Sequence, residues 1–561
     1  MRLFSGLVNR FRRDQRGNIA VIFGIACIPV LSAIGCGVDY SEASRMRAKL
    51  QSAADAAAVA SISQNSQGWL AASQMTSNGA VTTAQTDAMN IFLGNINNVY
   101  NPGNPSANLF TLNTSGTAAV VTKTGVSLTS TVTFNATVPT IFMNVVGFKS
   151  LTVAGSSSAS SSLPMYLDFY VMLDVSGSMG LPSTDGEQTR LSAVNPDDFT
   201  VYPNGCTFAC HFQSKGSCSD PSQGQKANAA GVTSPINSAY PTNGYCLGYL
   251  ITRVNQTAWA ALLQTTTQYP MKNQQIPPAM LPNVTSNVTP GALNSLLTGN
   301  ANSTSKSLTA VTSCPTAGSQ ACIQLRADAV GTALNATMSA NGVSGLFETA
   351  KNSAVVNNQF RIGLYPFIQN LITYSNLTYS INASPTTPGT INYNAANLAT
   401  LLDTGNSPNV GLGSGGTHFE NAFPTMNSII TSVGDGSASN NTKPFVFLVT
   451  DGAQNFQTCC GFSGSNSATV MASGTSSPCQ QLKSRNITVA VLYIPYEPIQ
   501  NPTPIFNNED NVANNNIQYI EDSLKSCASP NFYFKASAPS DIAAALSAMF
   551  NQALVTAHLT N

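Results

Sequence analysis

Three short polar stretches carry the side chains that could do chemistry in this 561-residue chain. They are Asp174-Val175-Ser176-Gly177-Ser178-Met179, Gly415-Gly416-Thr417 and Thr450-Asp451-Gly452. Their carboxylate and hydroxyl oxygens are the ligands that hard cations such as Mg²⁺ prefer, at about six ligands per ion. A cation site of this kind requires a fold that brings the separated stretches together.

Strands and helices alternate around these stretches. Short, near-continuous apolar runs at 166–173, 360–367, 445–450, 487–494 and 532–534 are typical of strands buried on both faces of a parallel sheet. Helical candidates lie between them at 325–339, 419–433, 478–484 and 540–553. The alternation predicts an α/β fold with a doubly wound, mostly parallel, Rossmann-like sheet. Ligands of such sheets bind at the carboxyl ends of the strands, which is where Asp174 and Asp451 fall.

The first polar stretch resembles the Asp-x-Ser-x-Ser signature of von Willebrand factor type A (VWA) domains. Thr417, before a predicted helix, and Asp451, after a predicted strand, occur in the order of that family's metal-ion-dependent adhesion site. The resemblance implies that a partner's Asp or Glu carboxylate completes the shell of a bound Mg²⁺, Mn²⁺ or Ca²⁺. The residues it implies as the metal site are Asp174, Ser176, Ser178, Thr417 and Asp451. A metal-free interpretation remains, because Asp, Ser and Thr after strands commonly cap helices.

The N-terminus predicts a membrane anchor. Five arginines, the last of them Arg16, precede an uncharged run at 18–38 that ends at Asp39. About 20 apolar residues suffice to cross a bilayer as a helix, and the basic side should stay in the cytoplasm. This predicts a single-pass protein of the bacterial inner membrane, with its bulk in the periplasm or at the cell surface. A cleaved signal peptide is the rival interpretation, but residues 40–61 continue as an Ala-rich helix, which favours a retained anchor.

The same region carries a second resemblance. It resembles the N-terminal segment of TadE/TadG-like proteins of the Tad (Flp pilus) secretion machinery. The residues concerned are Arg16-Gly17-Asn18-Ile19-Ala20-Val21, Val38-Asp39-Tyr40 and Leu50-Gln51-Ser52-Ala53-Ala54-Asp55-Ala56-Ala57-Ala58. The resemblance implies a role in pilus assembly or adhesion, with pilus subunits or other Tad components as candidate partners.

Five segments are predicted along the chain. A cytoplasmic basic segment (1–17), a transmembrane helix (18–38) and a periplasmic helix (39–63) come first. A membrane-proximal β-rich or α+β module follows at 64–162 and ends in a Gly/Ser-rich linker at 155–162. The VWA domain takes residues 163–556 and is interrupted by a cysteine-containing insertion at 181–322.

Cysteine usage predicts an oxidising compartment. Two of the twelve cysteines lie in the apolar run, and the even number that remains lies on one side of the membrane, which indicates disulfides. Metal binding around Cys206-x-x-x-Cys210-His211 is the alternative. Cys479 opens a predicted helix and Cys527 precedes the last predicted strand. Both fall near the sheet edge, so we predict a bridge between them.

Composition and motifs exclude some functions. The formal net charge is zero, 9% of residues are charged, and no basic stripe follows the N-terminus, so nucleic-acid binding is not expected. The sequence has no Gly-x-Ser-x-Gly, His-Glu-x-x-His or P-loop motif, and only three histidines, so we do not expect an enzyme. Two alternatives to adhesion remain: a structural stalk with a vestigial metal site, and a metal-assisted hydrolase with Glu420 as base.

Overall fold

The computed structural model describes most of the chain and divides it into two compact units, Met1–Pro164 and Met165–Asn561. The described residues are 17–194, 252–253, 255–257, 311–337, 342–381, 384–402, 411–413, 416–454, 457–458, 461–462, 477–496 and 507–559.

The first unit begins with one long helix, α1 (Gly17–Ala60), which continues through Pro29. Its apolar first half is exposed, as at Phe23 and Ile34, whereas Met46 and Leu50 in its second half lie in a hydrophobic core. It is the only helix in the described ranges that is long and apolar enough to cross a membrane. The segments predicted as a transmembrane helix and as the Ala-rich helix that continues it both lie within α1, which has no break at Asp39.

An α+β module packs on the second half of α1. Its helices are α2 (Gln67–Gln74) and α3 (Thr82–Ile96), and its strands are β1 (Gly79–Ala80), β2 (Thr111–Leu112), β3 (Ala118–Thr124), β4 (Ser127–Pro139) and β5 (Ser150–Ser162). All strand pairings are antiparallel, and β4 pairs with β2, β3 and β5. The core contains alanines of α1, Phe92 of α3 and Phe134 of β4.

The predicted linker at 155–162 is instead the second half of β5. Gly155 pairs with Phe134 and Ser162 pairs with Ser127, so the whole segment belongs to the sheet. Gln51 of α1 donates a hydrogen bond from Nε2 to the Ser156 carbonyl oxygen at 3.0 Å. A Cβ on Gly155 would lie 2.5 Å from the Phe134 ring and 2.6 Å from the Gln51 oxygen. Gly155 is thus required for close packing, although the Gly/Ser composition of the segment is also that of a flexible linker.

The second unit is built on a six-stranded mixed sheet. Its strands and those of a separate hairpin are β6 (Leu167–Asp174), β7 (Phe360–Phe367), β8 (Ser375–Thr378), β9 (Lys443–Thr450), β10 (Gln457–Thr458), β11 (Gly461–Phe462), β12 (Thr488–Tyr493) and β13 (Tyr533–Lys535). The order is β13-β12-β9-β6-β7-β8, and β10 pairs only with β11. All pairs in the six-stranded sheet are parallel except the edge pair β7–β8. The five predicted strands are all present.

Helices cover both faces of this sheet. They are α4 (Asp185–Val194), α5 (Arg326–Asn335), α6 (Leu346–Ser353), α7 (Ile391–Ala396), α8 (Phe419–Ile429), α9 (Pro478–Lys483), α10 (Asn507–Cys527) and α11 (Pro539–Leu559). On one face, Met172 of β6 lies in a core with Phe423 of α8 and Leu524 of α10. On the other, the ring of Phe169 lies 4.9 Å from that of Phe550 of α11. Alternate residues of β6 therefore face opposite helical layers, as the continuous apolar run predicts.

The predicted insertion at 181–322 is partly described. Its first residues are not irregular, because helix α4 begins at Asp185, four residues after Leu181. Arg253 donates to both carboxylate oxygens of Asp328 on α5, at 2.9 and 2.7 Å, and both side chains are buried. A buried, bidentate ion pair therefore fastens the insertion to α5. The Cys206-x-x-x-Cys210-His211 segment lies outside the described residues.

Two disulfides occur in the described part of the chain. Cys479 of α9 is bonded to Cys527 at the end of α10, the pair that the sequence suggested. Cys314 is bonded to Cys322 within the insertion. Cys27 and Cys36 of α1 are free thiols. The disulfides fit an oxidising compartment.

Removal of the Cys479–Cys527 bond should lower stability more than removal of the Cys314–Cys322 bond. The first closes a loop of sequence separation 48 and the second one of 8. Loop-closure entropy then gives losses of about 4 and about 2.5 kcal/mol, respectively. Urea unfolding of the two double Cys→Ser variants measures the two losses of unfolding free energy. An equal or larger loss for the Cys314–Cys322 variant would contradict the prediction.

Candidate metal centre

The turn after β6 holds the first three candidate residues. Asp174 ends the strand, and its Oδ1 accepts a hydrogen bond from the Ser176 backbone N–H at 3.0 Å. A short 3₁₀ turn at Gly177–Gly180 follows, and it places the Ser176 and Ser178 hydroxyl oxygens 3.2 Å apart. A strand end followed by a tight turn therefore puts one carboxylate and two hydroxyls on the same edge of the sheet.

Thr417 reaches this turn from the loop before α8. Its hydroxyl donates to Ser176 Oγ at 2.8 Å, although the two residues are 241 positions apart in the chain. Gly416 precedes it with φ of +104°, a conformation that side chains disfavour. A backbone bridge to Gln454 and the hydrogen bond from His418 N–H to the Ile368 carbonyl, at 2.9 Å, fix the loop on both sides.

Asp451 follows β9 on the strand next to β6. Gly452 after it has φ of +77°, and its N–H donates to Thr450 Oγ1 at 2.8 Å. A Cβ on Gly452 would lie 2.4 Å from Ile520 of α10, so a larger residue would move the loop. The Ala453 backbone N–H donates to Asp451 Oδ1 at 3.4 Å, and the nearby Ser178 hydroxyl acts to lower the pKa of this carboxyl.

All five candidate residues therefore meet at the carboxyl edge of the parallel strands. They are Asp174, Ser176, Ser178, Thr417 and Asp451. Each is buried: Ser178, the most accessible, is 4% exposed, and Asp451 is fully buried. Of the stretches that the sequence singled out, only Gly415 lies outside the described residues.

Burial disfavours the charged forms of the two carboxyl groups and so raises their pKa values. Desolvation and then repulsion from Asp451 raise the pKa of Asp174 to about 7, although hydrogen bonds from Thr450 and Ser176 partly offset this. Desolvation also raises the pKa of Asp451, against the opposing effects of Arg326 and the Ser178 hydroxyl. Both shifts have the same cause, since a buried carboxylate is less stable when charged.

Two further residues contact the site and were not among the five predicted ligands. Thr450 donates from Oγ1 to Asp174 Oδ2 at 2.6 Å and so links β9 to β6. Arg326, at the start of α5, places Nη1 3.6 Å from Asp451 Oδ2 and lines a neighbouring cleft of about 310 Å³. Thr450 could have been suspected because it adjoins Asp451, but no local signal identifies Arg326.

His418 and Glu420 hold the loop beside Thr417. His418 Nδ1 lies 2.5 Å from Glu420 Oε1, and Gln454 donates from Nε2 to Glu420 Oε2 at 2.6 Å. Both Glu420 oxygens therefore bond to residues of the loops around the site. This arrangement positions Thr417 and holds the Glu420 carboxylate in the loops beside it.

The donor set fits a hard divalent cation. Neither Asp451 Oδ2 nor Arg326 Nη1 has a hydrogen-bond partner, so their 3.6 Å ion pair is a loose one. Among the described residues no group of three or more His, Cys, Asp and Glu side chains is placed to hold a metal. An ion would therefore depend on the three hydroxyls together with the two carboxylates, and oxygen ligands of this kind suit Mg²⁺ or Mn²⁺.

Comparisons with known proteins relate only the N-terminal segment to a family. Residues 17–64 match the family described as Putative Flp pilus-assembly TadE/G-like, a segment that contains α1 and none of the second unit. No curated protein matches the chain. A pilus-related role thus has support from the TadE/G-like segment, and nothing in the comparisons indicates catalysis.

Two solved structures show weak similarity. One is proximal thread matrix protein 1 from the mussel byssus, at 14% identity over 37% of this chain and 41% of that chain, with a TM-score of 0.23. The other is the PilB minor pilin from Streptococcus sanguinis, at 9% identity over 76% of this chain and 75% of that chain, with a TM-score of 0.27. This chain thus spans less than half the length of the mussel protein.

The stability of the metal-free protein should fall as the pH rises from about 4 to about 7. The pKa of Asp174 is about 7 when folded and near 3.8 when unfolded, so in this window the folded state binds the extra proton. The loss from Asp174 should be on the order of 2 to 4 kcal/mol, and Asp174→Asn should remove that part while leaving the smaller part due to buried Asp451. Urea unfolding in the presence of a chelator at several pH values measures both proteins. If wild type and Asp174→Asn lose the same unfolding free energy between pH 4 and 7, the raised pKa of Asp174 would be contradicted.

Proposed function

We propose that the second unit is a VWA domain with a metal-ion-dependent adhesion site, and that the chain is a membrane-anchored component of Tad/Flp pilus assembly or adhesion. The proposal rests above all on one observation. Oxygen-bearing side chains from three distant segments converge at one sheet edge. Thr417 donates a hydrogen bond to Ser176 there, and Thr450 donates one to Asp174.

In this proposal, Ser176, Ser178 and Thr417 bind the cation through neutral hydroxyl oxygens. Asp174 and Asp451 hold it directly or through water and accept hydrogen bonds from the coordinated groups. A bound Mg²⁺, or Mn²⁺ or Ca²⁺, supplies a Lewis-acidic position that a carboxylate of a partner can occupy. Because three of the five side chains are neutral, the ion retains enough charge to attract an Asp or Glu of a partner protein.

The pilus-related part of the proposal rests on the TadE/G-like segment at 17–64. The exposed apolar half of α1 supports its insertion in the inner membrane. The basic residues before it favour a cytoplasmic N-terminus, with the chain after Asp39 outside. Pilus subunits and other Tad components are then candidate partners, because they share that compartment.

Two alternatives make different predictions. A hydrolase needs a base near the ion, and the contacts of the candidate base Glu420 are to His418 and Gln454, in the loops beside the site. A structural stalk with a vestigial site needs no cation, so it predicts no loss of function when the ligands are replaced. Cation binding and mutant phenotypes therefore separate it from an adhesion site.

Thr417→Ala should weaken Mn²⁺ binding by at least about tenfold, the cost of one lost hydroxyl ligand. The matched control is Thr425→Ala on α8, whose hydroxyl donates only to the exposed Asn421 carbonyl. Electron paramagnetic resonance of free Mn²⁺ gives the affinity of each full-length protein in detergent. A wild-type protein without affinity at millimolar Mn²⁺ would refute the metal site.

Asp174→Ala in the bacterial chromosome should abolish surface attachment or pilus formation while the protein is still exported. The substitution removes a carboxylate at the centre of the site and leaves the TadE/G-like segment unchanged. Attachment assays and electron microscopy of pili, beside immunoblots of membrane fractions, test this. Normal pili and attachment, with Thr425→Ala as the reference, would favour the structural stalk.

A further inference from the structure

The loop between β4 and β5, residues 140–149, exposes an unusual amount of apolar surface. Ile141 is 76% exposed and Val145 is 82% exposed. Phe142, Val146 and Phe148 of the same loop are also exposed. Single exposed apolar residues are common, but five within one short loop form a contiguous patch of the kind that marks contact with a protein or a membrane.

Backbone hydrogen bonds fix the shape of this loop. Thr140 N–H donates to the Lys149 carbonyl at 3.1 Å, and Phe148 N–H donates to the Met143 carbonyl at 3.0 Å. A 3₁₀ turn at Met143–Val146 ends at Gly147, whose φ of +96° allows the chain to reverse. The apolar side chains are therefore held on the outside of an ordered turn.

The loop is also attached to α1. The Asp39 carboxylate accepts hydrogen bonds from the backbone N–H groups of Ile141, Phe142 and Met143, at 3.1, 2.9 and 2.6 Å. One helical turn earlier, a Cβ on Gly35 would lie 2.3 Å from Phe142 Cβ. Both Gly35 and Asp39 are buried by the loop while Ile34 and Val38 beside them are exposed.

These contacts define where the loop lies along α1. Gly35 belongs to the uncharged run at 18–38, and Asp39 is the first charged residue after it. At a rise of 1.5 Å per residue, Gly35 is about 6 Å from Asp39 along the helix axis. This distance matches the roughly 5–10 Å to which interfacial elements enter the boundary between headgroups and acyl chains.

We propose that the loop at 140–149 inserts into the outer leaflet of the membrane that α1 spans, as a second contact with lipid. The inference rests on the proposed membrane anchor. The occupant is lipid because the patch is continuous with the apolar surface of α1 at Gly35, within the segment that the bilayer must cover. Lys149, exposed at the end of the loop, can extend its ammonium group toward lipid headgroups.

Tryptophan substitution and lipid quenching test this placement in the full-length protein reconstituted in phospholipid vesicles. Val145→Trp and Phe148→Trp place the probe on the loop, and Val120→Trp places it on the exposed surface of β3 as the matched control. The wild-type signal of the two native tryptophans is subtracted. Lipids brominated near the headgroup end of the acyl chain should quench about half of the added loop fluorescence and little of the control.

The possible outcomes separate the loop from the anchor. Loop probes quenched by aqueous iodide and not by brominated lipid would overturn the proposal. Shielding from both quenchers would also overturn it and would indicate a protein partner or a second copy. Release of the wild-type protein from membranes by alkaline carbonate would instead refute the anchor itself. Unchanged near-ultraviolet circular dichroism identifies variants that retain the fold.

Discussion

Asp174 and Asp451 end adjacent parallel strands, so the pairing of β6 with β9 forces two carboxylates into one desolvated volume. Their mutual repulsion and burial disfavour the charged forms. The surrounding residues act against this penalty: Thr450 donates to Asp174, while Arg326 and the Ser178 hydroxyl favour the charged form of Asp451. The turn after β6 and the loops at Thr417 and Asp451 are arranged around these two groups.

Helix α5 connects this site to the cysteine-containing insertion. Arg326 at its start approaches Asp451, while Asp328, two residues later, binds Arg253 of the insertion. Asp328 also accepts hydrogen bonds from the backbone N–H groups of Leu325 and Cys314. The first turn of α5 is therefore held from both sides, and the position of Arg326 depends on contacts that the insertion makes.

The sequence predicted the strands and the three polar stretches because buried parallel strands are continuous apolar runs, and their ends are marked by Gly and polar residues. It could not reveal Arg326, whose role depends on where α5 packs. Helix α10 was missed because its Asn-rich beginning has low helix propensity. The interpretation of 155–162 as a linker was wrong because Ser and Gly serve a flexible chain and a close-packed strand equally well.

The unbroken course of α1 has a mechanical consequence. Because α1 has no break between its exposed and packed halves, the rest of the first unit would follow any change in tilt of the exposed half if that half spans a membrane as proposed. Transmembrane helices adjust their tilt to bilayer thickness. In a thicker or thinner bilayer, the five-stranded sheet would therefore rotate as a rigid body with the helix, and local lipid composition would set the direction in which it points.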